Sequence, residues 1–179
     1  PRFNRTPLFR RLQRAGVRLA AFNTTQGRRN RFQLNFRNHR KIVVVDGACA
    51  WIGGHNVGDE YLGLSRRGPW RDTHLRLEGP GVMGAELAFA TDWRWATQRG
   101  IDLEWRFRGD APGNSAVLIF PSDPASVFEE AGLMYHEVIA SARRRIWIAS
   151  PYFVPDRSII SALQLAALRG VDVRVLIPD

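Results

Sequence analysis

The chain has 179 residues, 45% of them hydrophobic, and carries 26 Lys and Arg against 17 Asp and Glu, a formal charge of +9 at pH 7. That apolar content suits one packed domain or two incomplete ones and excludes a disordered polypeptide, while the single cysteine excludes a disulfide scaffold. The basic excess favours phosphate-bearing partners, nucleic acid or anionic lipid, without choosing between them, and a general arginine bias would give the same charge.

The N-terminal stretch PRFNRTPLFRRLQRAG lacks the apolar core of a signal peptide, and no apolar run in the chain approaches the ~18 residues of a membrane span. Leu8, Leu12 and Ala15 recur at helical spacing before Gly16, so a short helix with a glycine stop is predicted, followed by a strand over 17–22. A start without Met inside a helix suggests a chain that begins partway through a larger protein. Residues 24–30 read as loop.

Lys41 to Val45 is a β-branched run, Asp46-Gly47 is a strong hairpin turn signal, and Ala48 to Ile52 returns as a second strand ended by Gly53-Gly54. Cys49, within that strand, has no second cysteine to share a metal and reads as a small buried side chain in a reducing compartment. Thr73, Leu75 and Leu77 alternate with polar residues as a strand, and 82–95 reads as an apolar helix. The sequence RFRGDAPGNS over 106–115 is the best linker candidate.

Beyond it, 116–120 reads as a strand. Val127, Ala131, Met134, Val138 and Ala142 mark the inner face of a helix leading into a strand at 146–149. Asp156 is placed to cap a helix with Ile160, Leu163 and Ala167 inward; Gly170 stops it, and 171–177 forms a strand. This is a βαβ unit, so the expected fold class is α/β with a parallel or mixed sheet flanked by helices.

The stretch that carries chemistry is NHRKIVVVDGACAWIGGHN, residues 38–56. On an extended backbone His39 and Lys41 point to the same side, so an imidazole nucleophile or base and an ammonium group can share one phosphate, the lysine neutralising charge as the transition state develops. Asp46 has the opposite parity and is more plausibly placed by the turn. Gly53 and Gly54 let backbone approach a ligand closely, and the Asn56 amide can donate to a phosphate oxygen. Singly, each has an ordinary structural explanation: a turn aspartate, a loop break, a solvated lysine, a surface histidine. Six fixed positions at this spacing are far more specific than any one of them.

This pattern resembles the signature of the phospholipase D superfamily, His-x-Lys-x4-Asp followed by Gly-Gly and, one residue on, Asn. The flanks DEYLG, WRDTHLRLEGP and Asp92-Trp93, then SPYFVPD and AALRGVDVRVLIPD, resemble the bacterial cardiolipin synthase branch; nuclease branches are not expected to share them. Arg71, Asp72 and His74 are secondary site candidates, although 70–74 could equally be a structural strand entry. His55 and His136 read as loop and helix-surface residues.

The resemblance implies a phospholipase D-like α/β/α sandwich in two incomplete halves. Residues 1–108 would form the C-terminal part of one domain with the motif, and 109–179 the N-terminal part of a second lacking it. It implies two motifs meeting at a pseudo-twofold interface, one histidine forming a phosphohistidine and the other acting as acid and base, with no metal and no cofactor. Carried over, His39 is the nucleophile, Lys41 and Asn56 hold the phosphate with Gly53 and Gly54, and Asp46 supports the site.

The reaction implied is phosphatidyl transfer between two phosphatidylglycerol molecules, at a bacterial inner membrane with the catalytic part in the cytoplasm. The partners implied are anionic phospholipid, the membrane surface and the missing second half; no nucleic acid is expected. No second His-x-Lys-x4-Asp occurs, so the 179 residues alone are expected to be inactive. Rival readings are a phospholipase or nuclease using the same chemistry, a non-catalytic basic module on nucleic acid or anionic membrane, and a truncated product without function.

Overall fold

The computed structural model of the chain describes residues 6–22, 38–64, 70–104, 106, 107, 109, 113–122 and 128–178. Two compact units divide the chain, Pro1–Phe120 and Pro121–Asp179. The predicted loop at 24–30 lies outside the described residues, as does part of the 106–115 linker.

The first unit opens with α1 (Pro7–Arg14). Thr6 caps it, its hydroxyl accepting from the Phe9 N–H at 3.3 Å, and Pro7 stands where a missing N–H costs nothing. Gly16, at φ 84, ends it as predicted. The strand expected at 17–22 does not form: an alternating pattern becomes a strand only when a neighbouring backbone takes its hydrogen bonds, and no described strand does so. Phe22 instead stacks on Trp95 with ring centroids 4.4 Å apart.

Next, β1 (Ile42–Val45), β2 (Cys49–Gly53) and β3 (His74–Glu78) form an antiparallel sheet in that order. The β1–β2 turn is the one the sequence demanded. Asp46 and Gly47 adopt φ 55 and 66, and the Ala48 N–H returns to the Val45 carbonyl at 3.0 Å. Helix α2 (Gly81–Thr97) covers one face of the sheet, with Val82 and Ala85 fully buried against Ala50, and Ile42, Val44, Ile52 and Leu77 closing around them. Cys49, expected to be buried, is half-buried.

The strand expected at 116–120 is also absent. Its apolar residues pack on a helix rather than joining the sheet: Val117 lies against Gly81 and Ile119 against Gly84, where a Cβ would come within 2.9 Å of Ile119.

The second unit is the predicted βαβ arrangement, preceded by α3 (Glu130–Ser141): β4 (Arg145–Ala149), α4 (Arg157–Leu168) and a parallel β5 (Asp172–Leu176). Asp156 caps α4 by accepting from the Ile159 N–H at 2.9 Å, and Gly170, at φ 86, stops it. The inner faces agree with the expected ones at Ala142 and Leu163 and differ by one residue at two other positions. Ile139 rather than Val138 is buried on α3, and Ala166 rather than Ala167 joins Leu163 on α4, all packed with Val171. Across the core Arg169 donates to the last carbonyls of α3, those of Ile139 and Ala140, at 3.3 Å each. Mixed α/β structure with helices against sheets is thus the fold class, as the sequence predicts.

Candidate active site

The candidate site is built by strand register in the first unit. Ile42 of β1 faces Ile52 of β2, and Gly53 of β2 faces His74 of β3. Three chain segments therefore meet at one end of the sheet: the entry to β1 with His39 and Lys41, the exit of β2 with Gly53, Gly54 and Asn56, and the entry to β3 with Arg71, Asp72 and His74. Segments more than thirty residues apart in the chain become neighbours through backbone ladders alone.

His39 is exposed, and its ring makes no hydrogen bond among the described residues. The Lys41 ammonium donates to the His39 carbonyl oxygen at 2.6 Å, which holds the positive charge next to the imidazole residue. On the β2 side the Asn56 amide donates to the Tyr61 hydroxyl at 3.2 Å, and that hydroxyl donates to the Gly54 carbonyl at 3.4 Å. Tyr61 stands on the short 3₁₀ turn Asp59–Leu62, so this turn fixes the Gly54–Asn56 loop. One N–H of the Asn56 amide is thereby engaged, and the second is left to donate elsewhere.

His74 is half-buried, and its Nδ1 accepts from the His55 backbone N–H at 3.3 Å; in the neutral ring the proton is therefore on Nε2. The His55 ring sits edge-on to Tyr61, with centroids 4.6 Å apart, and tilted to His74. His55, read from sequence as an ordinary loop residue, is exposed in the loop yet knits the β2 exit to the β3 entry. Asp72 accepts from the Thr73 N–H at 2.7 Å and its carboxylate presses on Gly54; Arg71 is exposed.

The two glycines have a reason the sequence did not disclose. A Cβ on Gly53 would collide with the Thr73 carbonyl and come within 2.7 Å of His74 Nδ1, and one on Gly54 would collide with the Asp72 carboxylate. Close approach of the backbone at Thr73 and His74, rather than of a ligand, already requires glycine at position 53, whereas at Gly54 the neighbour is the movable Asp72 side chain.

Asp46 does not join this cluster. It stands in the hairpin turn at the other end of β1, five residues from Lys41 and so about 15 Å away at strand rise. There it lines an acidic cleft of about 470 Å³ with Glu86, Asp102 and Glu104. As its parity in the sequence implies, Asp46 is placed by the turn, which its left-handed backbone builds. Sequence reasoning also missed Asp92 of α2. Its carboxylate accepts from the Asn38 amide at 2.6 Å and pairs with Arg40 at 2.5 Å, gripping both neighbours of His39. The signal available was the parity of residues 38 and 40 against 39 and 41.

No group of three or more His, Cys, Asp or Glu side chains suited to a metal occurs among the described residues.

Among known proteins, this chain matches, over residues 135–179, the family described as cardiolipin synthase, PLD-like domain. Over 170 residues, 94% of its length, it is 51% identical to cardiolipin synthase A of Pseudomonas aeruginosa (strain LESB58), and over 171 residues it is 53% identical to cardiolipin synthase A of Pseudomonas putida. The aligned stretch is 34% and 35% of those proteins, so the chain spans about a third of the length of the curated relatives it matches.

Proposed function

We propose that this chain carries one half-site of a phosphatidyltransferase of the cardiolipin synthase type, and that its two units belong to successive phospholipase D-like domains of the whole protein. The observation that carries this reading is the sheet register, which sets His39 and Lys41 beside Gly53, Gly54 and Asn56 in a chain so similar to cardiolipin synthases.

In this reading a ring nitrogen of His39 attacks the phosphorus of phosphatidylglycerol. The bond to the glycerol oxygen breaks, and glycerol leaves with a proton from a histidine of a second motif outside these residues. The phosphohistidine then passes its phosphatidyl group to a hydroxyl of a second phosphatidylglycerol, whose proton returns to that second histidine. Lys41 and the free N–H of Asn56 offset charge on the phosphoryl oxygens, and exposure of His39 leaves its ring open to a lipid headgroup. Asp46 contributes through the turn.

The protein would work at an anionic membrane surface on the cytoplasmic side, where its basic charge is favoured. No helix among the described residues is long and apolar enough to cross a membrane.

The test is assay of the full-length protein carrying this chain on phosphatidylglycerol vesicles. Cardiolipin and glycerol should appear in equal amounts, with an acid-labile phosphoenzyme that His39→Ala removes along with turnover. Unchanged transfer in His39→Ala would reject the reading. Phosphatidic acid without cardiolipin would replace it with a hydrolase.

A further inference from the structure

Residues 38 to 41 form a short arm leading into β1, and what holds this arm comes from outside the sheet. Asp92, near the C-terminal end of α2, uses both carboxylate oxygens on it. Oδ2 accepts from the Asn38 side-chain amide at 2.6 Å, and Oδ1 from the Arg40 guanidinium at 2.5 Å. The ring is closed within the arm itself, where the Arg40 backbone N–H donates to the Asn38 side-chain oxygen at 2.8 Å.

Such charge-assisted bonds are directional, and this one is sheltered, with the Asp92 side chain only 16% exposed. Fixing 38 and 40 on α2 restrains the backbone of His39 from both sides. α2 is a firm base for such a grip: Val82, Ala85 and Ala88 of the same helix are buried in the first unit.

We infer that Asp92 is a positioning residue for the reaction: it does not meet the substrate but sets the direction of His39 by holding the residues on both sides of it. The inference rests on the reading of His39 as the nucleophile. A nucleophile on an exposed arm has many orientations, and a displacement of about 1 Å from the attacking geometry can cost on the order of 100-fold in rate. Holding the arm by its two neighbours restricts the backbone at residue 39 while leaving the imidazole itself without a bond that would compete with phosphorus.

The experiment uses the full-length protein that carries this chain, with phosphatidylglycerol vesicles as probe and active sites counted from the burst of glycerol released in the first turnover. His39→Ala is the control for the underlying reading; if it retains transfer, that reading fails whatever Asp92 does. With that control abolished, Asp92→Ala and Arg40→Ala should each lower kcat per active site about 30- to 100-fold, with KM changed less than about threefold. The double variant should be no worse than the poorer single one, because both cut the same grip.

A residue that only stabilises the fold would lower the melting temperature and the number of active sites but leave kcat per site alone. That result, or multiplicative losses in the double variant, overturns the inference. If Asp92→Ala does not fold, Asn38→Ala and Arg40→Lys loosen the arm from the other side and are held to the same criterion.

Discussion

Gly53 and His74 face each other across β2 and β3, and the place that a methyl group on Gly53 would take is already occupied by the Thr73 carbonyl and the His74 ring. At Gly54 the obstruction is a carboxylate, that of Asp72, which can swing aside; at Gly53 it is backbone, which cannot. Gly53→Ala should therefore destabilise the first unit by about 2 to 3 kcal/mol and Gly54→Ala by about 1 kcal/mol or less. Urea unfolding of the two variants measures this. Equal losses would show that the strands spread apart without penalty.

Tyr61 is expected to matter through its hydroxyl rather than its ring. Tyr61→Phe keeps the edge contact with His55 but removes both the acceptor for Asn56 and the donor to the Gly54 carbonyl. The loop between β2 and the 3₁₀ turn should loosen, raising hydrogen exchange at residues 54 to 56 about tenfold, with about 1 kcal/mol lost in overall stability. Exchange confined to wild-type rates in that loop would refute the assignment.

The core of the second unit hangs on Ile139, which is 3% exposed and packs with Leu163, Ala166 and Val171. Ile139→Ala should cost about 3 kcal/mol, whereas Val138→Ala, one residue along and 56% exposed, should cost less than about 1 kcal/mol. Denaturant titration of the pair decides which residue is the inner one.

Acid should weaken the N-terminal end of α4. The Ser158 hydroxyl and the Ile159 N–H both donate to Asp156 and hold its carboxyl below the usual carboxylate range. A folded value lower than the unfolded one means that its stabilisation is complete above the unfolded value, near 4, and is lost as pH falls through the folded value. Asp156→Asn, which keeps a capping oxygen but no charge, should melt a few degrees below the native chain at pH 7, and the gap should close toward pH 3. A constant gap would mean that the charge plays no part.

A chain limited to these 179 residues is expected to give no multiple turnover on phosphatidylglycerol, because only one His-x-Lys-x4-Asp occurs in it. Sustained cardiolipin production that His39→Ala removes would contradict this and would require two copies of residue 39 in one site.

Elements set by local chemistry are legible in the amino-acid sequence. The Asp46-Gly47 turn, the Asp156 cap and the Gly16 and Gly170 stops are each determined by one or two side chains and their immediate backbone. What sequence could not reveal depends on partners distant in the chain. Residues 17–22 and 116–120 have strand patterns but no hydrogen-bonding neighbour among the described strands, and periodicity alone does not show whether a neighbour exists. One inner position on each of α3 and α4 was missed by one residue, because rows of apolar side chains such as Val138-Ile139 and Ala166-Ala167 leave the helix rotation open until the opposing surface is known. Of the candidate site, residue types and spacing were readable, but the service of Asp92 and His55 was not, since it arises only when α2 and β3 fold back onto the motif, and that of Tyr61 depends on the 3₁₀ turn closing onto the Gly54–Asn56 loop.

Placing Asp46 at the far tip of the hairpin gives the interval between Lys41 and that aspartate a mechanical meaning: it is the length of β1. Adding one residue there would reverse the facing of everything before it, turning His39 toward the helix and Asn38 toward solvent. Adding two would restore the facing but slide the arm roughly 7 Å along the sheet, out of reach of Asp92. The four unspecified positions of the motif are thus a measured rod, tolerant of which β-branched side chains fill it and intolerant of any change in their number.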